Sequence, residues 1–223
     1  MLDVSTGQRM PMASRADRNV KKASNEHCTG LVILGDGDGV VTQCESANES
    51  YHLLLLNARR EVADLREQVE FNYGSRDEHL HFFDMVATFT SGARIAFTVK
   101  PTDAVAAGGF LETMQVVSWW VRKSGFADEV RLLTKSDIDP IELHNAKILA
   151  AVRGSDPEAD RAARELIAGL TGARSLKDLT TATALAERGY RALLRLMRTD
   201  LLAPEHHERI TPSTLVYRKG KAQ

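Results

Sequence analysis

Between His79 and Pro101 the chain reads HLHFFDMVATFTSGARIAFTVKP, two apolar runs separated by a Ser91-Gly92 turn. This pattern predicts two adjacent strands, near Leu80–Phe89 and Arg94–Val99. The second, Ile95–Val99, is short and apolar enough to be buried in a sheet. A sheet of that kind needs cover, and the surrounding sequence supplies helices for it. The hairpin also fixes two polar residues in space: Asp84 stands in the first run, and Lys100 closes the second just before Pro101. Strands joined by a short turn let those two side chains meet.

The flanking segments predict a small α/β domain. Leu31–Leu34 and Val40–Thr42 form a hairpin around the Gly35–Gly39 cluster. That cluster lacks both the later ligands of a calcium loop and the Gly-Lys-Ser/Thr ending of a phosphate loop. A helix runs from Glu45 to about Asn57, with Ser46 as N-cap and Glu49 at capping-box spacing. Val62–Gln68 leads into a strand near Val69–Tyr73. Gly108-Gly109 precedes a helix from Phe110 to about Lys123 that stops at Gly125. A strand at Val130–Thr134 and a helix at Ile141–Val152 follow. Trp119-Trp120 reads as part of the core.

A boundary falls near Gly154–Pro157. Beyond it, Glu158–Leu170, Ser175–Leu179 and Ala184–Leu202 read as helices and Ile210–Arg218 as a strand, the outline of a winged helix-turn-helix. Residues 1–27 are polar and basic and read as a mobile arm. The expected division is therefore an arm over 1–27, an α/β domain over 28–153 and a winged-helix-like domain over 154–223.

Composition narrows the setting. Hydrophobic residues make up 43% of the 223 and charged residues 26%, enough for a real core. No apolar run approaches the ~18 residues of a membrane span, and no signal-peptide pattern opens the chain. A cytoplasmic protein with no membrane partner is expected. Cys28 and Cys44 have no CxxC spacing, so neither a disulfide framework nor a zinc site is indicated. Charge is uneven: from Arg153 onward 13 Lys and Arg face 9 Asp and Glu, a net of +4, while the rest carries −5. Arg188, Arg191, Arg195 and Arg198 form one helix stripe opposite Tyr190, Leu193, Leu194, Met197 and Leu201. A basic stripe of that kind suits DNA phosphates; as an ordinary amphipathic helix it would leave its arginines solvated.

The chemistry follows from Asp84, Lys100 and a third residue, Glu49, on the preceding helix. Two carboxylates held together suit Mg²⁺, a hard cation that keeps several waters and works on phosphates. A lysine beside them stabilises charge on the phosphate or orients the attacking water. Thr98 stands two residues before Lys100; its hydroxyl is a poor Mg²⁺ ligand, leaving its backbone carbonyl as a donor. Glu112, with Gln115 one turn later, is a compensating carboxylate on the next helix, or else a solvated position. The histidines show no metal-ligand spacing, although His79 and His81 precede Asp84 on one strand.

The segments Glu45–Glu49, Tyr51 with Leu53–Leu56, and Val62–Gln68, followed by Asp84 and Lys100, resemble the TnsA endonuclease family, the nuclease subunits of heteromeric bacterial transposases. The resemblance spans Glu45 to Val152 and includes Thr134 and Asn145. It implies a PD-(D/E)xK, restriction-endonuclease-like mixed sheet flanked by helices, with a C-terminal winged helix. It also implies Mg²⁺ (or Mn²⁺), a catalytic set of Glu49, Asp84 and Lys100, and cleavage of one DNA strand at transposon ends. The implied partners are a transposase and an ATPase regulator in a bacterial cytoplasm. Phe83 stands in place of the family's proline. Thr98 opens an alternative, an inactive nuclease fold that binds DNA and recruits the transposase or its regulator.

Overall fold

The computed structural model describes residues 10–20, 29–106 and 109–220. Its centre is a four-stranded mixed sheet in the order β3-β4-β5-β6. The strands are β3 (Val62–Tyr73), β4 (His79–Phe89), β5 (Arg94–Val99) and β6 (Glu129–Leu133). β3, β4 and β5 pair antiparallel, and β5 with β6 parallel. A hairpin of β1 (Gly30–Leu34) and β2 (Val40–Cys44) precedes them, in register from Gly30↔Cys44 to Leu34↔Val40.

Helices cover both faces, as the apolar β5 requires. On one face α1 (Ala47–Ala58) lays Leu53 and Leu56 against Met85, Ile95, Phe97 and Val99. On the other, after the short α2 (Thr102–Ala106), α3 (Phe110–Ser124) lays Val117 and Val121 against Val69, Phe71, Phe83, Val86 and Ala96. Alternation along β5 sends 95, 97 and 99 to α1 and 96 to α3. α1 begins at Ser46, whose side chain accepts the Glu49 N–H. α3 ends at Gly125, whose left-handed conformation (φ 71°) turns the chain away with its N–H on Val121 and Arg122 carbonyls.

β3 is longer than expected. Val62–Gln68 does not lead into the strand but belongs to it. Asp64, Arg66, Glu67 and Gln68 give a weak strand signal, and their partners come from ~50 residues upstream. Arg15 pairs with Asp64 and Asp17 with Arg66. Ser14 donates to Glu67 and Arg18 to Gln68. Residues 10–20 are thus a packed segment beside β3 rather than a mobile arm, with Met12 bridged to Val40 and Val20 buried. The rest of that expected arm, 1–9 and 21–27, lies outside the described residues, as do Cys28 and Gly108. Cys44 is buried, its thiol on the Gly30 carbonyl.

After α4 (Pro140–Ala151) come α5 (Pro157–Ala168), α6 (Leu176–Thr183) and α7 (Ala186–Arg198) around a second core of Ala163, Leu176, Leu193, Leu196 and Val216. A three-stranded sheet ordered β7-β9-β8 closes it, from Arg174–Ser175, Leu202–Pro204 and Leu215–Arg218. The final strand is shorter than expected because a turn occupies 211–214, with Thr214 N–H on the Thr211 carbonyl. α6 and α7 approach so closely that a Cβ on Gly189 would overlap Thr183 Oγ1. Asn145 ties α4 to the C-terminal part, donating to the Glu208 carbonyl and accepting the Ile210 N–H. Among the described residues no helix is long and apolar enough to cross a membrane.

Candidate active site

β4 and β5 pair from Thr88↔Arg94 to Met85↔Phe97 and then part. Asp84 stands at the fork. Its Oδ2 accepts the Val99 N–H at 2.7 Å, so the carboxylate itself bridges the diverging strands. Burial raises its pKa, although the Val99 amide and Lys100 oppose the rise.

Glu49 reaches the same place from the first turn of α1. It is 6% exposed. Its Oε1 accepts from Ser46 Oγ at 2.9 Å and its Oε2 from the Glu45 N–H at 2.8 Å. The expected capping box is therefore displaced by one residue, because the glutamate takes the Glu45 amide. Burial, and then the nearby Asp84 charge, push Glu49 up to about 7. The two carboxylates are electrostatic neighbours in a poorly solvated place. Lys100 completes the group expected from sequence: its charge acts on Asp84, and its Nζ lies 5.8 Å from the centre of the Phe110 ring.

Three further residues, Gln68, Arg18 and His81, join this group without having been assigned to it from sequence. Gln68 is fully buried, with φ of 48° in a region a non-glycine residue adopts at a cost of about 1–3 kcal/mol. By register it lies opposite Asp84. Its Nε2 is 3.4 Å from Glu49 Oε2, and its Oε1 accepts from Arg18 Nε at 2.8 Å. Arg18 also pairs with Glu45 at 3.1 Å and stacks 4.6 Å from the centre of Phe82. Gln68 was visible in the sequence within the Val62–Gln68 match, but nothing there showed the strained backbone. His81 lies edge-on to Phe83 with its Nε2 buried and unpartnered. Burial, with Lys100 and Arg18 nearby, lowers it to about 4, so its ring is neutral at pH 7.

The remaining expected residues separate. Thr98 is 2% exposed and its Oγ1 has no hydrogen-bond partner. Glu112 is exposed in the first turn of α3, apart from Glu49 and Asp84. Thr134 caps a 3-10 turn with Asp137, and its carbonyl lies 2.9 Å from His52 Nε2.

The donor set suits a small hard cation in kind. Glu49 is buried and Asp84 partly buried, and two such carboxylates whose charges repel each other are relieved by a divalent ion with oxygen preference. Asp84 and Glu49 are the residues that would hold it. Among the described residues no group of three or more His, Cys, Asp or Glu is assembled. Mg²⁺ needs only one or two carboxylates, with water completing its shell.

The arginine stripe of α7 needs correction. Arg195 Nε bonds Asp160 at 2.6 Å with both side chains largely buried. Arg198 is buried and donates to Asp36, the Gly35 carbonyl and the Leu149 carbonyl. Arg188 makes paired contacts with Asp156 and reaches Glu158 at 2.6 Å. The Arg188 contact holds the Asp156 carboxyl well down, at about 2. The stripe mainly fastens α7 to α5 and to the β1–β2 turn, and Arg191 alone of the four makes no ion pair among the described residues and stands exposed. No family model matches this chain, and no curated protein sequence matches it.

Proposed function

We propose that this protein is a metal-dependent DNA endonuclease subunit of TnsA type, with a restriction-endonuclease-like N-terminal domain and a winged-helix-like C-terminal one. The observation that carries this reading is the convergence of Glu49, Asp84 and Lys100 at the fork of β4 and β5. Burial of a carboxylate pair is costly for stability, and such pairs with perturbed pKa values cluster at functional sites. Asp84 and Glu49 would hold Mg²⁺ or Mn²⁺; when bound, the ion supplies Lewis-acid clamping of the scissile phosphate. Lys100 would stabilise developing negative charge on that phosphate. Gln68 acts on Glu49 by a hydrogen bond, and Arg18 holds the other end of the Gln68 side-chain amide. DNA at transposon ends is the proposed substrate, and a transposase and an ATPase regulator the proposed partners.

Purified protein, alone and with its transposase, should nick end-containing DNA with Mg²⁺ or Mn²⁺. Equal cutting by Asp84→Ala and wild type would sink the assignment. A second reading, an inactive nuclease fold serving as a DNA-binding and assembly subunit, is favoured by two observations. Thr98 supplies no carboxylate, and the Glu49 oxygens are already engaged by Ser46, Glu45 and Gln68. Calorimetric titration separates the two: absence of Mg²⁺ and Mn²⁺ binding selects the second.

A further inference from the structure

Beside the fork lies a cavity that the proposed chemistry does not use. It is an apolar cleft of about 440 Å³ between α3 and β6, the open edge of the sheet. Its floor is Thr98 and its walls include Phe110, Val130 and Leu132. Trp119 stands at its side, 52% exposed. This corrects the expectation that both tryptophans belong to the core. Helical spacing explains the difference: Val117 and Val121 take the face toward the sheet, and 111, 115, 118, 119 and 122 follow an adjoining stripe that meets the cleft.

Three features tell what the cleft takes. Thr98, 2% exposed, belongs to its floor, and its Oγ1 has no hydrogen-bond partner, which is unfavourable for a buried polar group unless a ligand completes it. Gln115, Ser118 and Arg122 add an amide, a hydroxyl and a guanidinium to an otherwise apolar wall. Arg122 is the one charged residue of the lining, so the cleft favours a ligand with a flat apolar face, hydrogen-bonding edges and an attached negative charge. The cleft is also continuous with the fork: Phe110 lies beneath Lys100 Nζ, and Thr98 precedes the amide that holds Asp84. Lys100 follows the end of β5, two residues after Thr98, roughly 6.6 Å along an extended chain, similar to the span from a base to its own phosphate.

We infer that this cleft binds one unstacked nucleobase of the DNA strand, against Trp119 and over Thr98, while the adjoining phosphate lies toward Lys100. The inference rests on the proposed DNA reading. Aromatic side chains hold single-stranded bases in a sequence-tolerant way because every base has a π-face. The pocket would bind the strand locally opened at the cut rather than the paired duplex.

The test uses the full chain in EDTA, so that nothing is cut, with Trp120→Phe leaving Trp119 as the reporter. An eight-nucleotide thymidine strand should quench Trp119 and bind about tenfold tighter than an abasic strand with the same phosphates. Trp119→Ala in the native background should bring that ratio, read by anisotropy, close to one while abasic binding stays unchanged; Trp119 is half exposed, so its loss spares the core. Thr98→Val should reduce the ratio without disturbing the fold. Equal affinity for the two strands, or a ratio untouched by Trp119→Ala, overturns the inference and leaves the DNA reading standing, with the cleft then a protein-docking groove. Binding of neither strand also overturns the inference, and the DNA reading is then decided by the nicking assay with Mg²⁺ or Mn²⁺.

Discussion

Replacing Glu49 by Gln should make the protein more stable at alkaline pH and less able to act. Burial and Asp84 raise the Glu49 pKa from 4.5 to about 7. The folded state therefore keeps a proton that the unfolded chain releases once the pH passes 4.5. Below that value both forms are protonated and Glu49 contributes nothing. Between 4.5 and 7 each rise in pH favours the unfolded chain, and above 7 the loss is complete. At about 1.4 kcal/mol per pKa unit, the full penalty is about 3 kcal/mol. Glutamine carries no such penalty. It still accepts from the Glu45 amide or the Ser46 hydroxyl but not from both equally well, a loss of about 1 kcal/mol. Glu49→Gln should therefore be slightly less stable than wild type at pH 4.5 and about 2 kcal/mol more stable at pH 8. Urea unfolding read by tryptophan fluorescence measures this directly, since both tryptophans lie on α3 over the same sheet. Added Mg²⁺ should raise wild-type stability at pH 8 and leave the variant nearly unchanged. A stability difference that stays flat from pH 4.5 to 8 would refute the argument, because it would mean that Glu49 ionises as freely folded as unfolded.

Asp84→Asn keeps an acceptor for the Val99 amide, so thermal stability should change little while nicking of supercoiled plasmid falls by about 100-fold or more. Arg198→Ala removes a buried guanidinium from Asp36 and the Gly35 carbonyl, while the Leu149 carbonyl keeps the Val152 N–H, and a fall in stability of about 2–4 kcal/mol is expected in urea titration. Arg191→Ala, at an exposed position, should leave the melting temperature unchanged and weaken DNA binding in low salt. Ser46→Ala removes the N-cap of α1 and should lower stability by about 1 kcal/mol, with a matching change in Glu49 titration followed by carbon-detected NMR.

The two hairpins, the start of α1 at Ser46 and the end of α3 at Gly125 were all legible in the sequence. Each is set by neighbours within a few residues: a turn, a cap, an alternation of apolar side chains. Asp84, Lys100 and Glu49 were legible as candidates because their order along the chain matched a pattern, and the structure brings them to one fork. Other features were decided only by partners far away. β3 extends through a polar stretch because Ser14, Arg15, Asp17 and Arg18 meet it from ~50 residues upstream. Gln68 links Arg18 and Glu49 through its side-chain amide. Arg198 is buried against Asp36, 162 positions earlier. A periodicity cannot distinguish an arginine aimed at a phosphate from one aimed at an aspartate on another element, nor an apolar helix position in a core from one beside an open cleft. Local hydrogen bonding and alternation thus determined the elements, while long-range charge pairing and the open edge at β6 decided which of their side chains remain exposed.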